Sequence, residues 1–74
     1  MSNFSIEVEV LAGTSIEEAI MEAKDLAQRM NLAFVKFKFN GVRMSVGSNA
    51  DVKDAAWQYA TVLNLEEIYK CVIV

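Results

Sequence analysis

The sequence predicts an α+β protein. It reads as a two-layer sandwich, in which an antiparallel sheet of three or four strands carries two helices on one face. Three observations lead there. Asn40-Gly41 sits between two segments of alternating polarity. Two further stretches, beginning near Ile16 and Val52, repeat apolar residues at steps of three and four. The run from Phe4 to Val10 alternates strictly. Period two demands strands and period 3.6 demands helices.

The hairpin is the strongest local signal. Leu32 to Phe39 runs into Asn40-Gly41 and returns as Val42 to Val46. Asn-Gly suits a type I′ turn, whose two central residues both need positive φ. A two-residue loop also sets the register. Phe39 then faces Val42, Phe37 faces Met44 and Val35 faces Val46, all apolar and all on one side. Lys38 opposes Arg43 and Lys36 opposes Ser45 on the other. A slip of one residue would scramble this sorting.

The remaining elements come in order. Phe4, Ile6, Val8 and Val10 predict one face of a half-buried strand, with Ser5, Glu7 and Glu9 on the other. Thr14 with Glu17, or Ser15 with Glu18, forms a capping box that starts the first helix. Its stripe is Ile16, Ala19, Ile20, Ala23, Leu26, Ala27 and Met30, with Asn31 as a stop because asparagine tolerates the left-handed conformation. Asp25 and Arg29 sit four apart as a potential pair. Ser48, Asn49 or Asp51 caps the second helix, whose stripe is Val52, Ala55, Ala56, Tyr59, Ala60 and Leu63. Asn64 to Glu67 reads as the exit. Ile68 to Val74 favours a last strand, the alternative being a helix that continues to about Lys70. No repeat stands out, and residues 1–74 read as a single domain.

Composition narrows the function classes. The chain is 74 residues long and 54% hydrophobic, enough for a modest core. One cysteine and no histidine rule out an ordinary structural zinc site, so no metal or cofactor is expected. The net charge of −3 argues against general nucleic-acid affinity but permits one local basic face. No secretory signal or membrane span is visible, so the expectation is a cytoplasmic protein. No enzyme is expected either: the usual general base is missing, no histidine stands by to activate Cys71, and Lys70 points to the opposite face if the segment is a strand. Cys71 is expected to be buried. Glu17, Glu18, Glu22 and Asp25, like Glu66 and Glu67, read as solvated carboxylates.

The element order resembles the ferredoxin-like βαββαβ superfold, which implies the antiparallel strand order 4-1-3-2. In that order Glu7 and Glu9 would share the open sheet face with Arg43, offsetting the like charges of the hairpin.

Two sets of residues are candidates for function. Met21 and Trp57 fall off their helical stripes, and exposed tryptophan is characteristic of interfaces. They mark a surface for a protein partner or a homodimer. The alternative is nucleic acid on the open face, using Phe34, Lys36, Lys38 and Arg43. There Asn31 to Phe37 resembles the second half of the RNP1 signature of RNA-recognition motifs, which stack bases on exposed aromatics. Ala33, Phe34, Val35 and Phe37 fit. Leu32 stands where that family has an aromatic, Asn31 replaces a glycine and Met30 replaces a basic residue. The motif also falls on the second strand rather than the third, with Glu7 and Glu9 nearby to repel phosphate.

The segment Phe39-Asn40-Gly41-Val42, with a short strand and an Asp-started helix after it, resembles small proteins of tailed phages and prophages. That resemblance implies an accessory protein in the bacterial host that acts by binding. A third reading, a small-molecule regulatory domain, rests on fold analogy.

Overall fold

Six elements succeed one another in the computed structural model, which describes residues 4–65 and 70–74. They are β1 (Ser5–Glu7), α1 (Ile16–Arg29), β2 (Phe34–Phe39), β3 (Val42–Val46), α2 (Val52–Leu63) and β4 (Lys70–Ile73). The final element is therefore a strand, and α2 does not continue to Lys70. Ile68 and Tyr69, with which the predicted strand begins, lie outside the described residues, as do Glu66 and Glu67.

The hairpin forms in the expected register. Phe39 pairs with Val42, Lys38 with Arg43, Phe37 with Met44, Lys36 with Ser45 and Val35 with Val46. Asn40 and Gly41 take φ of 49° and 81°, the left-handed pair that a type I′ turn requires. Val35, Phe37, Val42, Met44 and Val46 are buried, while Lys36, Lys38 and Arg43 are exposed on the reverse.

Both helices begin on side-chain caps. Ser15 Oγ accepts from the Glu18 backbone N–H at 3.1 Å and donates to Glu18 Oε1 at 3.2 Å. This selects Ser15 over Thr14 as the N-cap, with the Glu18 carboxylate returning to the Ser15 hydroxyl. Asp51 Oδ1 accepts from the Asp54 N–H at 3.1 Å. Asn31, at φ 52°, closes α1. The Leu32 N–H reaches the Ala27 carbonyl at 2.9 Å and the Asn31 N–H reaches Gln28 at 3.4 Å, a Schellman arrangement with Leu32 packed into the core. Asp25 pairs with Arg29 at 3.0 Å. The Lys70 ammonium donates to the Leu63 carbonyl at 2.8 Å, a cation at the negative end of α2.

The predicted apolar faces hold with three exceptions. Met30 is the exposed C-cap of α1 rather than a core residue. Ala60 is exposed, and Val62 packs against the core in its place. The reason is that α2 leans over β3 and β4, which turns the Val62 side inward. Phe4 is also 76% exposed, because it precedes an edge strand that begins only at Ser5.

The strand order corrects the expected topology. The sheet is mixed, in the order β1-β2-β3-β4. β1 runs parallel to β2, β2 antiparallel to β3, and β3 parallel to β4. The ferredoxin-like order would insert β3 between β1 and β2; here the central places go to the hairpin strands. They are the longest strands and the most completely sorted into buried and exposed faces. β1 is three residues long and holds an edge. The charge pairing changes accordingly: Glu7 stands opposite Lys36, not Arg43.

The chain is thus two β-α-β units joined by the hairpin. Each position of α1 has its counterpart 36 residues on: caps Ser15 and Asp51, then Ile16/Val52, Ala19/Ala55, Ala23/Tyr59 and Leu26/Val62. This pattern-level repeat escapes a search for identical residues. The two units nevertheless differ in hand. Both helices contact each other and share one core, so both lie on one face of the sheet. Each crossover advances in the same direction across the sheet, while its strands point in opposite directions. One crossover is therefore right-handed and the other left-handed, an exception to a rule that parallel crossovers obey in about 98% of cases.

Candidate functional site

The repeat places the two sequence-predicted interface residues on equivalent positions. Met21 of α1 and Trp57 of α2 both lie about 160° from the centre of the buried stripe, at about 100° per residue. Met21 is 57% exposed and Trp57 is 67% exposed. Because the helices sit side by side over one sheet face, both residues project from the outer surface of the helix layer. The Trp57 carbonyl accepts from Thr61 Oγ1 at 3.0 Å, one turn along. Regular helix on both sides holds the indole on a rigid support.

The open sheet face collects the other set. Lys36, Lys38 and Arg43 project from the two central strands, with Lys38 directly across from Arg43. Glu7 stands beside Lys36 on the β1 side. On the β4 side Arg43 aligns with Cys71 and Ser45 with Ile73. A shallow depression of about 570 Å³ spans this face between Glu7 and Ile73. Its chemistry is a basic middle with an acidic margin on one flank and an apolar margin on the other.

Phe34 shares this face but is half-buried. Its ring edge lies over Gly47; a Cβ placed there would stand 3.8 Å from Phe34 Cε1 and 3.3 Å from the Val74 carbonyl oxygen. Phe37, the second aromatic of the RNP1-like segment, is 2% exposed in the core. The geometry therefore leaves one partly covered ring where base stacking uses two.

Cys71 is exposed, which overturns the expectation that it is buried. Its side chain shares the open face with Ile73, itself 65% exposed, while Val72 between them is buried. Both were missed as surface features because the run Cys71 to Val74 carries no charge and resembles a covered strand. The alternation set by Arg43 and Ser45 opposite them is the signal that could have found them.

The carboxylates of α1 are solvated. Glu18 serves the N-cap and Asp25 its ion pair, and Glu17 and Glu22 are exposed. Among the described residues no group of three or more His, Cys, Asp or Glu could hold a metal ion. No described helix is long and apolar enough to cross a membrane. A cleft of about 340 Å³ opens between residues 8–11 and α1, floored by Val8, Val10, Ala23 and Phe37. It is an open groove rather than an enclosed pocket, with Glu9, Thr14 and Glu22 on its lining.

Neither a known protein family, nor a curated protein, nor a solved structure matches the chain.

Proposed function

We propose that this chain is a small non-enzymatic accessory protein that binds a protein partner through the outer surface of its helix layer. The observation that carries the reading is Trp57, two-thirds exposed on a rigid helix and matched by Met21 at the same position of the neighbouring helix. A tryptophan facing water forgoes burial worth roughly 1.5–3 kcal/mol for a large apolar side chain. Folding gives no return for placing it there, whereas indole is the side chain most enriched at binding hot spots. The absence of histidine from the sequence fits a protein that binds rather than catalyses. The Phe39–Val42 turn, with its return strand and Asp-capped helix, is similar to tailed-phage and prophage proteins. That likeness points to the cytoplasm of a bacterial host as the setting.

The test compares immobilised wild-type chain with Trp57→Ala and Met21→Ser. Both variants keep the fold by circular dichroism. A protein retained by wild type is released by Trp57→Ala, and on docking it shifts the emission of this lone tryptophan to the blue. Retention indifferent to both substitutions removes the reading.

A second reading is favoured by one observation, the placement of Lys38 against Arg43 with Lys36 alongside. On it, the open face binds single-stranded nucleic acid. Binding would then weaken steeply with salt and fall on changing Lys36 and Lys38 to Ala. A flat titration with RNA and DNA at low salt dismisses it.

A further inference from the structure

The two edges of the sheet are built differently, and the difference points to a partner. In β4 the Val74 N–H donates to the Ser45 carbonyl at 2.9 Å, and the Val74 carbonyl accepts from Gly47 at 2.9 Å. Backbone groups of successive strand residues point to alternate sides. Val72 and Val74 therefore turn theirs toward β3, while Cys71 and Ile73 turn theirs outward. The same logic on β1 starts from Phe4, whose carbonyl accepts from Ala33, and Val8, whose N–H donates to Lys36. It leaves Ser5 and Glu7 facing outward. Among the described residues neither edge is paired with a further strand.

Natural edges are protected by brevity and by charge. β1 has both: it is three residues long and Glu7 stands exposed on it, with an exposed Glu9 two residues beyond its end. β4 has neither. From Cys71 to Val74 it carries no charge, and its outward-facing residues are an exposed thiol and a 65% exposed isoleucine. The one nearby charge, Lys70, is tied back to the Leu63 carbonyl.

We infer that β4 pairs antiparallel with β4 of a second copy, joining two four-stranded sheets into one of eight. This rests on reading the chain as an interaction module, but it uses a surface separate from Trp57. The pairing is self-complementary about a two-fold axis at Val72. Cys71 then meets Ile73 of the other copy and exchanges both outward hydrogen bonds with it. Val72 meets Val72 at the rim of the two cores. No like charges are opposed. The same operation on β1, about Ile6, pairs Ser5 with Glu7 on a three-residue ladder and puts the carboxylates of both copies on one face of the seam, so a second copy fits β4 rather than β1. Strand addition buries little area, so the dimer is a concentration-dependent one.

Sedimentation velocity of the wild-type chain from micromolar to millimolar concentration is the test. The expected result is a shift from monomer to dimer, abolished by Ile73→Lys, which places a charge on an already exposed site. Trp57→Ala leaves the dimer unchanged, and Ile73→Lys leaves Trp57-dependent partner retention unchanged, so the two surfaces fail or succeed separately. As a second measurement, Ile73→Cys beside native Cys71 forms disulfide-linked dimers on mild oxidation. The paired Cα atoms would be about 5.5 Å apart, within disulfide range. Ser5→Cys with Glu7→Cys, in a Cys71→Ser background, stays monomeric under the same conditions. A wild-type monomer throughout, or oxidised dimers formed equally from the β1 edge, overturns the inference and leaves β4 to an extended segment of some other chain.

Discussion

Asn40 Nδ2 donates a 3.0 Å hydrogen bond to the Tyr59 hydroxyl, tying the tip of the hairpin to the middle of α2. The Tyr59 ring also stands edge-on to Phe39 at 5.6 Å between centroids. One residue thus serves the turn twice, once through its backbone at positive φ and once through its amide. Tyr59→Phe keeps the ring contact and removes only the acceptor, at an expected cost of about 0.5–1.5 kcal/mol. Asn40→Gly keeps the turn and removes only the donor. Denaturant midpoints of both variants and of the double variant check this: the losses overlap rather than add if the bond is the shared cause.

Capping is the next expectation. Ser15→Ala and Asp51→Ala each remove one acceptor from the start of a helix and cost about 1 kcal/mol. The two sites share no partner, so the double variant loses the sum. Asn31→Gly is close to neutral, because glycine also accepts a left-handed backbone, whereas Asn31→Val costs about 1–2 kcal/mol. Urea unfolding measures all five.

Strand order can be tested chemically. In a Cys71→Ser background, Glu7→Cys with Lys36→Cys forms an internal disulfide. Neighbouring strands lie about 4.8 Å apart, and these positions are in register on the open face. Glu7→Cys with Arg43→Cys spans two strand intervals and does not form one. The reverse result would restore the order in which β1 lies beside β3.

How much of this was legible from the residues depends on the range of the interaction. The hairpin was readable because its turn and its pairings lie within fifteen residues, and Asn40-Gly41 dictates the rest. Met21 and Trp57 were readable because a helix fixes direction from spacing alone. Neighbour choice in the sheet was not. Alternation says which face Glu7 occupies, and that face is the same whether Lys36 or Arg43 stands beside it. Cys71 failed for a related reason: an edge strand over an open face can be apolar throughout without being covered. Val62 replaced Ala60 because the lean of α2 over β4 is a tertiary choice that a 3.6-residue period leaves undetermined.

The exposure of Cys71 has its own check. In dilute native protein, Ellman's reagent titrates one thiol per chain as fast as it titrates the denatured chain. A thiol that reacts only after denaturant is added would return Cys71 to the interior.

The sheet order also bears on how the chain finds its fold. Every strand is hydrogen-bonded to the strand next to it in sequence, so no pairing has to skip over an intervening strand. Assembly can begin at the Asn40-Gly41 bend and spread outward in both directions, each helical crossover bringing an outer strand onto an edge already in place. The two outer pairings are parallel, and each must first close a crossover that holds a whole helix, so they follow the hairpin rather than form with it.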